Sequence, residues 1–285
     1  MHTQRRPHRS ALYATAALAV LVGALAGSAS APRAAPSGTS QPSVFESPQG
    51  YYLALGDSIA YGLNPTKPGA RPSTVAGYVA PFAARLRKLS PAIQVVNYGC
   101  PGESTVTFNK GGCPWLAEGR KLHDSFGRSQ LEAALSFLRA HPNDVSPVTV
   151  TLWGNDLAPL SAKGKRAPKA ISSFASRFRA ILRQLRAAAP TAEIIVTGAW
   201  NPEADQLAQT RPLYRTLDAA IRRSAAASRA RVANMLATFN GSGDVGAQRA
   251  RLCRLTFSCK GDPHPTDAGY RAMADAFLTA SGYRR

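Results

Sequence analysis

Five short apolar runs, each followed by a longer segment with apolar residues at three-to-four spacing, constrain this chain more than any other feature. The runs fall at residues 51–55, 93–97, 148–152, 193–197 and 231–234. Between them, residues 77–89, 129–140, 170–188 and 212–228 carry helical periodicity, as in Phe174, Phe178, Ile181, Leu182 and Leu185. The connections are too long for hairpins. Parallel neighbours need a crossover, and the crossover supplies the helix that covers the sheet. The expected fold is therefore an α/β three-layer sandwich around a five-stranded parallel sheet. In such sheets ligands bind beyond the carboxyl ends of the strands, which directs attention to the residues just after each apolar run.

The first fifty residues read differently. Arg5, Arg6 and Arg9 precede an uncharged apolar run at 11–26, and Gly27, Ser28, Ala29, Ser30 and Ala31 follow it. A basic start, an apolar middle and an Ala-x-Ala end predict a signal peptide over residues 1–31, because the run is shorter than the ~20 residues a spanning helix needs. Residues 32–50, rich in Pro, Ser, Ala and Gly, read as a linker, and residues 51–285 as the folded domain. Export makes cystines the default for Cys100, Cys113, Cys253 and Cys259. Of the three pairings, Cys100 with Cys113 and Cys253 with Cys259 are expected, since each closes a short ring within one loop-like segment. No C-x-x-C spacing argues for zinc. The net charge of +19 implies a weak attraction to anionic surfaces. It does not imply a nucleic-acid partner, because the basic residues are scattered through helical segments and not gathered with aromatics into one stripe.

The chemistry-bearing residues cluster at the predicted strand ends. Gly56, Asp57 and Ser58 follow the first strand, and Tyr98, Gly99, Cys100, Pro101, Gly102, Glu103 and Ser104 follow the second. Trp153, Gly154, Asn155 and Asp156 follow the third; Asp262, Pro263, His264 and Pro265 precede a final helix beginning near Thr266. Taken singly, each has a plain explanation: Ser58 or Asn155 as a helix cap, Gly102 as a turn, His264 as a surface residue. Their conjunction and order resemble the SGNH hydrolases, the GDSL-like lipases and esterases, over essentially the whole domain from Tyr51 to Tyr283. The resemblance implies a flavodoxin-like fold with Ser58 as nucleophile, His264 as general base, and Gly102 and Asn155 as oxyanion donors beside the Ser58 amide. Members commonly place an Asp three residues before the His, where this chain has Gly261. Asp262, two residues before, is the expected partner of His264, with a backbone carbonyl or Asp267 as alternatives.

Elsewhere, His123 and His141 are expected to be structural, Asp57 and Asp156 to organise loops, and Trp153, Trp115 and Trp200 to line a pocket or pack. No phosphate loop, H-E-x-x-H or EF-hand pattern occurs, so no cofactor or metal is invoked. The expected activity is hydrolysis of a carboxylic ester, of a lipid, short-chain or acetyl-sugar type, by a secreted enzyme acting through an acyl-enzyme on Ser58. Acyl transfer from the same intermediate, or a non-catalytic basic binder of anionic surface polymers, are the alternatives. A monomer is the expected state, although no residue pattern fixes it.

Overall fold

The computed structural model describes residues 47–67 and 77–283; the predicted signal peptide and most of the predicted linker lie outside them. Five strands form one all-parallel sheet in the order β2-β1-β3-β4-β5. They are β1 (Tyr51–Gly56), β2 (Gln94–Asn97), β3 (Val145–Thr151), β4 (Ile194–Thr197) and β5 (Arg231–Ala233). The expected sheet is present, and helices flank it. Central β3 is buried along its whole length, as a strand covered on both faces requires. Gln49 N–H already donates to Ser146 O (2.9 Å), so pairing with the domain begins before residue 51.

The helices follow from the apolar spacing. In α2 (Val79–Leu86) the buried residues are Val79, Phe82, Ala83 and Leu86, one stripe of an amphipathic helix. It packs on α10 (Asp267–Ala280), where Tyr78 stacks on Phe277 at 4.5 Å while its hydroxyl meets Thr149 Oγ1 of β3 (2.9 Å). Helices α5 (Gln130–Ala140), α7 (Ala167–Ala188) and α8 (Leu207–Ala226) pack successively, α5 on α7 and α7 on α8. Caps lie where short polar side chains stand: Ser129 for α5, and Thr266 for α10. Four further helices, α3 (Thr105–Lys110), α4 (Pro114–Ala117), α6 (Gly154–Leu157) and α9 (Val245–Leu255), join α1 (Ser58–Tyr61) among the described residues. No helix among these residues is long and apolar enough to cross a membrane.

Candidate active site

The sheet order reverses direction between β1 and β3, and the site occupies that crevice. Immediately after β1, Gly56 has φ +129° and lies so close to the Thr151 carbonyl that a side chain there would collide with it. The next residue, Asp57, caps α1 by accepting from Ile59 N–H (3.0 Å) and from Thr151 Oγ1 (3.1 Å). Capping therefore falls to Asp57, and Ser58 becomes the first helical residue with its hydroxyl turned towards His264.

Ser58 Oγ lies 2.9 Å from His264 Nε2, and His264 Nδ1 lies 2.7 Å from Asp262 Oδ1. The two-residue spacing works through the backbone. Asp262 Oδ1 also accepts from His264 N–H (2.8 Å), so the carboxylate folds back over Pro263 and meets the ring edge. Both Asp262 and His264 precede prolines, which hold them extended. The segment is pinned further by Phe257 N–H donating to His264 O (2.9 Å), by a bridge between Thr256 and Pro265, and by the Cys253–Cys259 disulfide. Asp267, the alternative partner, is engaged with Asn64 Nδ2 (3.0 Å) and Lys67 Nζ (3.4 Å).

Gly102 sits in the loop after β2 with φ +86°, and a Cβ there would meet Pro114 Cγ at 2.9 Å. Both the backbone angle and the close approach therefore call for glycine. Among the described residues, neither Ser58 N–H nor Gly102 N–H donates to a protein acceptor. Asn155, in α6 after β3, gives one amide hydrogen to Glu103 O (2.8 Å) and keeps the other. The block after β2 is thus joined to the block after β3 through Glu103 O, which holds the Asn155 amide, and His264 is joined to the block after β1 through Ser58 Oγ. Beside them a pocket of about 270 Å³ is lined by Ser58, Asn155, His264, Trp153, Trp200 and Pro202. Trp153 meets Trp200 edge-on at 4.7 Å. Trp115 lies elsewhere, against Tyr61 (4.7 Å) and Arg120 (4.9 Å).

Sequence reasoning passed over the residues that lock these blocks together. Gln130 is fully buried and bridges Gly56, accepting from its N–H (2.5 Å) and donating to its O (2.9 Å), while also reaching Glu103 Oε2 (3.1 Å). Its signal was a polar residue on the apolar stripe of α5, four residues before Ala134. Asp156 accepts from Thr105 N–H (2.8 Å) and pairs with Arg177 Nη2 (3.0 Å), joining the second and third blocks to α7. Asp57 and Asp156 both organise loops as expected. His123 bonds to Tyr61 O at the end of α1 (2.9 Å) and His141 to Phe137 O (3.0 Å), and neither is hydrogen-bonded to Ser58 among the described residues.

The profile of the GDSL-like lipase/acylhydrolase family matches residues 54–272. The chain belongs to that family. By membership this GDSL-like protein is a carboxylic ester hydrolase. Its fold matches that of a GDSL-like lipase from Parabacteroides merdae (17% identity, TM-score 0.57), covering 85% of this chain and 100% of the other. It also matches an acetylxylan esterase from Geobacillus stearothermophilus (16%, TM-score 0.54), covering 84% and 97%. A lipase from a goat rumen metagenome is similar at 19% identity and TM-score 0.53, covering 82% and 98%. No curated protein matches the chain.

The cysteines pair as expected, Cys100 with Cys113 and Cys253 with Cys259. The first bridge spans 13 residues and tethers the Gly102 loop to α4. Mild reduction is therefore expected to lower activity while near-UV circular dichroism is still native. Loss of both together would show that the bridge holds the whole domain and not the loop.

Two buried carboxyls carry a pH dependence. Burial pushes Asp57 and Glu103 each up to about 7, against ordinary values near 4. Folding thus favours their neutral forms, so the stability they add is complete below about pH 4 and is lost as pH rises through 7. The melting temperature should fall by several degrees between pH 5.5 and 8. Asp57→Asn combined with Glu103→Gln should flatten that slope; an unchanged slope would place its origin elsewhere.

Proposed function

We propose that this GDSL-like hydrolase is an exported enzyme that cleaves short-chain carboxylic esters through an acyl-enzyme on Ser58. The hydrogen-bonded line from Asp262 through His264 to Ser58 carries this reading. With its proton on Nδ1, facing Asp262, the imidazole presents a lone pair at Nε2 and takes the Ser58 proton as Oγ attacks the ester carbonyl. Negative charge moving onto the carbonyl oxygen is met by the main-chain N–H groups of Ser58 and Gly102 and by the spare amide hydrogen of Asn155. His264 then gives its proton to the departing alkoxide, leaving acylated Ser58 and free alcohol. Water, deprotonated at the same Nε2, attacks the acyl carbon, and collapse returns carboxylic acid and Ser58.

The preference for short acyl groups rests on the pocket. Its 270 Å³ lies at the small end of ligand sites, and indole edges wall it in. Acetylated sugars fall within this class, and an acetylxylan esterase is among the similar folds. Export rests on the N-terminal pattern and on the two cystines; sequencing the N-terminus of protein recovered from culture medium tests it. The activity is tested by a p-nitrophenyl ester series from acetate to palmitate on the mature protein. Highest kcat/KM from acetate to butyrate is expected. A maximum at dodecanoate or longer overturns the short-chain assignment, and no release at any length overturns the hydrolytic one.

A further inference from the structure

A second, larger cleft of about 780 Å³ opens between α8 and α9. Arg211, Arg215 and Arg222 line its α8 side together with Asp218, at positions i, i+4, i+7 and i+11 that share one helix face. Arg251 and Arg254, three apart, line it from α9. Five guanidiniums thus face a space with a single lining carboxylate. That carboxylate is already taken, since Asp218 accepts from Arg222 Nε (2.6 Å) and from Ala199 N–H (3.1 Å). Arg251 is held in place by donating to Thr238 O (2.8 Å), and Gly241 leaves the room its stem occupies. Among the described residues the side chains of Arg211, Arg215 and Arg254 have no protein acceptor. Like charges gathered this way repel one another, and an anion lying between them relieves the repulsion.

The shape and residue types narrow the ligand. From Arg211 to Arg222 the charges extend about 16 Å along α8 at 1.5 Å per residue, too far for one small anion to span. Every lining cation is an arginine, whose planar fork suits carboxylate or phosphate oxygens. A carboxylate presents both oxygens in one plane and one direction. A phosphate linked in a chain has non-bridging oxygens that diverge tetrahedrally, so it can be held from α8 and α9 at once. The lining has one aromatic ring, Tyr214, which is fully buried with its hydroxyl on Glu203 (2.8 Å), so nothing offers a base a stacking platform. We propose that the α8/α9 cleft binds a linear chain of phosphate or phosphodiester groups, recognised through its backbone alone.

Inorganic polyphosphate is the probe, titrated calorimetrically against the mature protein. Saturable binding is expected, weakening steeply with salt. Arg211→Ala/Arg215→Ala/Arg254→Ala should lower affinity at least a hundredfold and flatten the salt slope by about 2 to 3. The triple variant Lys169→Ala/Arg179→Ala/Arg183→Ala, which removes the same charge from α7, should bind within about threefold of the parent. Circular dichroism on both variants establishes that each is folded. Equal losses in the two variants, or no saturable binding, overturn the proposal. So does tighter binding of oligothymidylate at equal charge, or binding confined to phosphatidylglycerol vesicles.

Discussion

Ser58→Ala is expected to remove ester turnover almost entirely, lowering kcat by about 10⁴- to 10⁶-fold. The magnitude follows from chemistry that has no substitute in the crevice. Without Oγ the imidazole of His264 can at best activate a water, and the oxyanion donors stabilise a charge that forms far more slowly. The structure also allows a clean reading of the result. Ser58 is only partly buried, and the cap of α1 belongs to Asp57, so removing one hydroxyl leaves the local fold its supports. The melting temperature should therefore stay within about two degrees of the parent. A residual kcat within tenfold of the parent would mean that another group attacks the ester.

Asp262→Asn should lower kcat by about 10³- to 10⁴-fold with little change in KM. An amide placed where Oδ1 now sits can donate to His264 Nδ1, which forces the ring proton onto Nε2 and turns the base into a donor facing Ser58. Oδ1 also accepts from His264 N–H, so an asparagine that turns its NH2 to Nδ1 gives up that backbone contact along with the productive tautomer. Asp267→Asn is the matched control. Its partners are Asn64 and Lys67, and it should stay within threefold of the parent. Comparable losses in the two variants would show that His264 is oriented by neither carboxylate in particular. A loss of less than tenfold in Asp262→Asn would leave a backbone carbonyl as the orienting group.

The sheet was legible because a buried parallel strand and an amphipathic crossover write different periods into the chain. Boundaries slipped where proline stood. The third apolar run begins at residue 148, just after Pro147, yet β3 starts at Val145, and its pairing with β1 shifts register between Tyr51 and Leu53. Pro212 suggested a helix start, yet α8 begins at Leu207. At the sixth helical position Pro212 forgoes its own hydrogen bond and crowds the Ala208 carbonyl, and burial of Leu207 and Thr210 in the first turn offsets that cost. Helix α9 escaped notice because its apolar face is thin: only Leu252 and Leu255 are buried, and arginines hold most of the remaining turns. The candidate reacting residues were readable from three strand-end blocks and from the Asp-Pro-His-Pro block before α10. Gln130 and Arg177 were not, because nothing local to a side chain records a partner 74 or 72 residues away.

The crevice also sets what heredity can adjust. On the proposed reading two of the three oxyanion donors belong to the main chain at Ser58 and Gly102, and no codon change short of proline deletes a peptide N–H. The angle at Gly102 and the nearness of Pro114 close that position to other side chains as well. On the proposed reading, Asn155 is the one donor that selection can strengthen, weaken or discard through a side chain. Variants with graded rates and an unchanged fold are thus to be sought at residue 155, and a library built there explores most of the freedom the oxyanion crevice possesses.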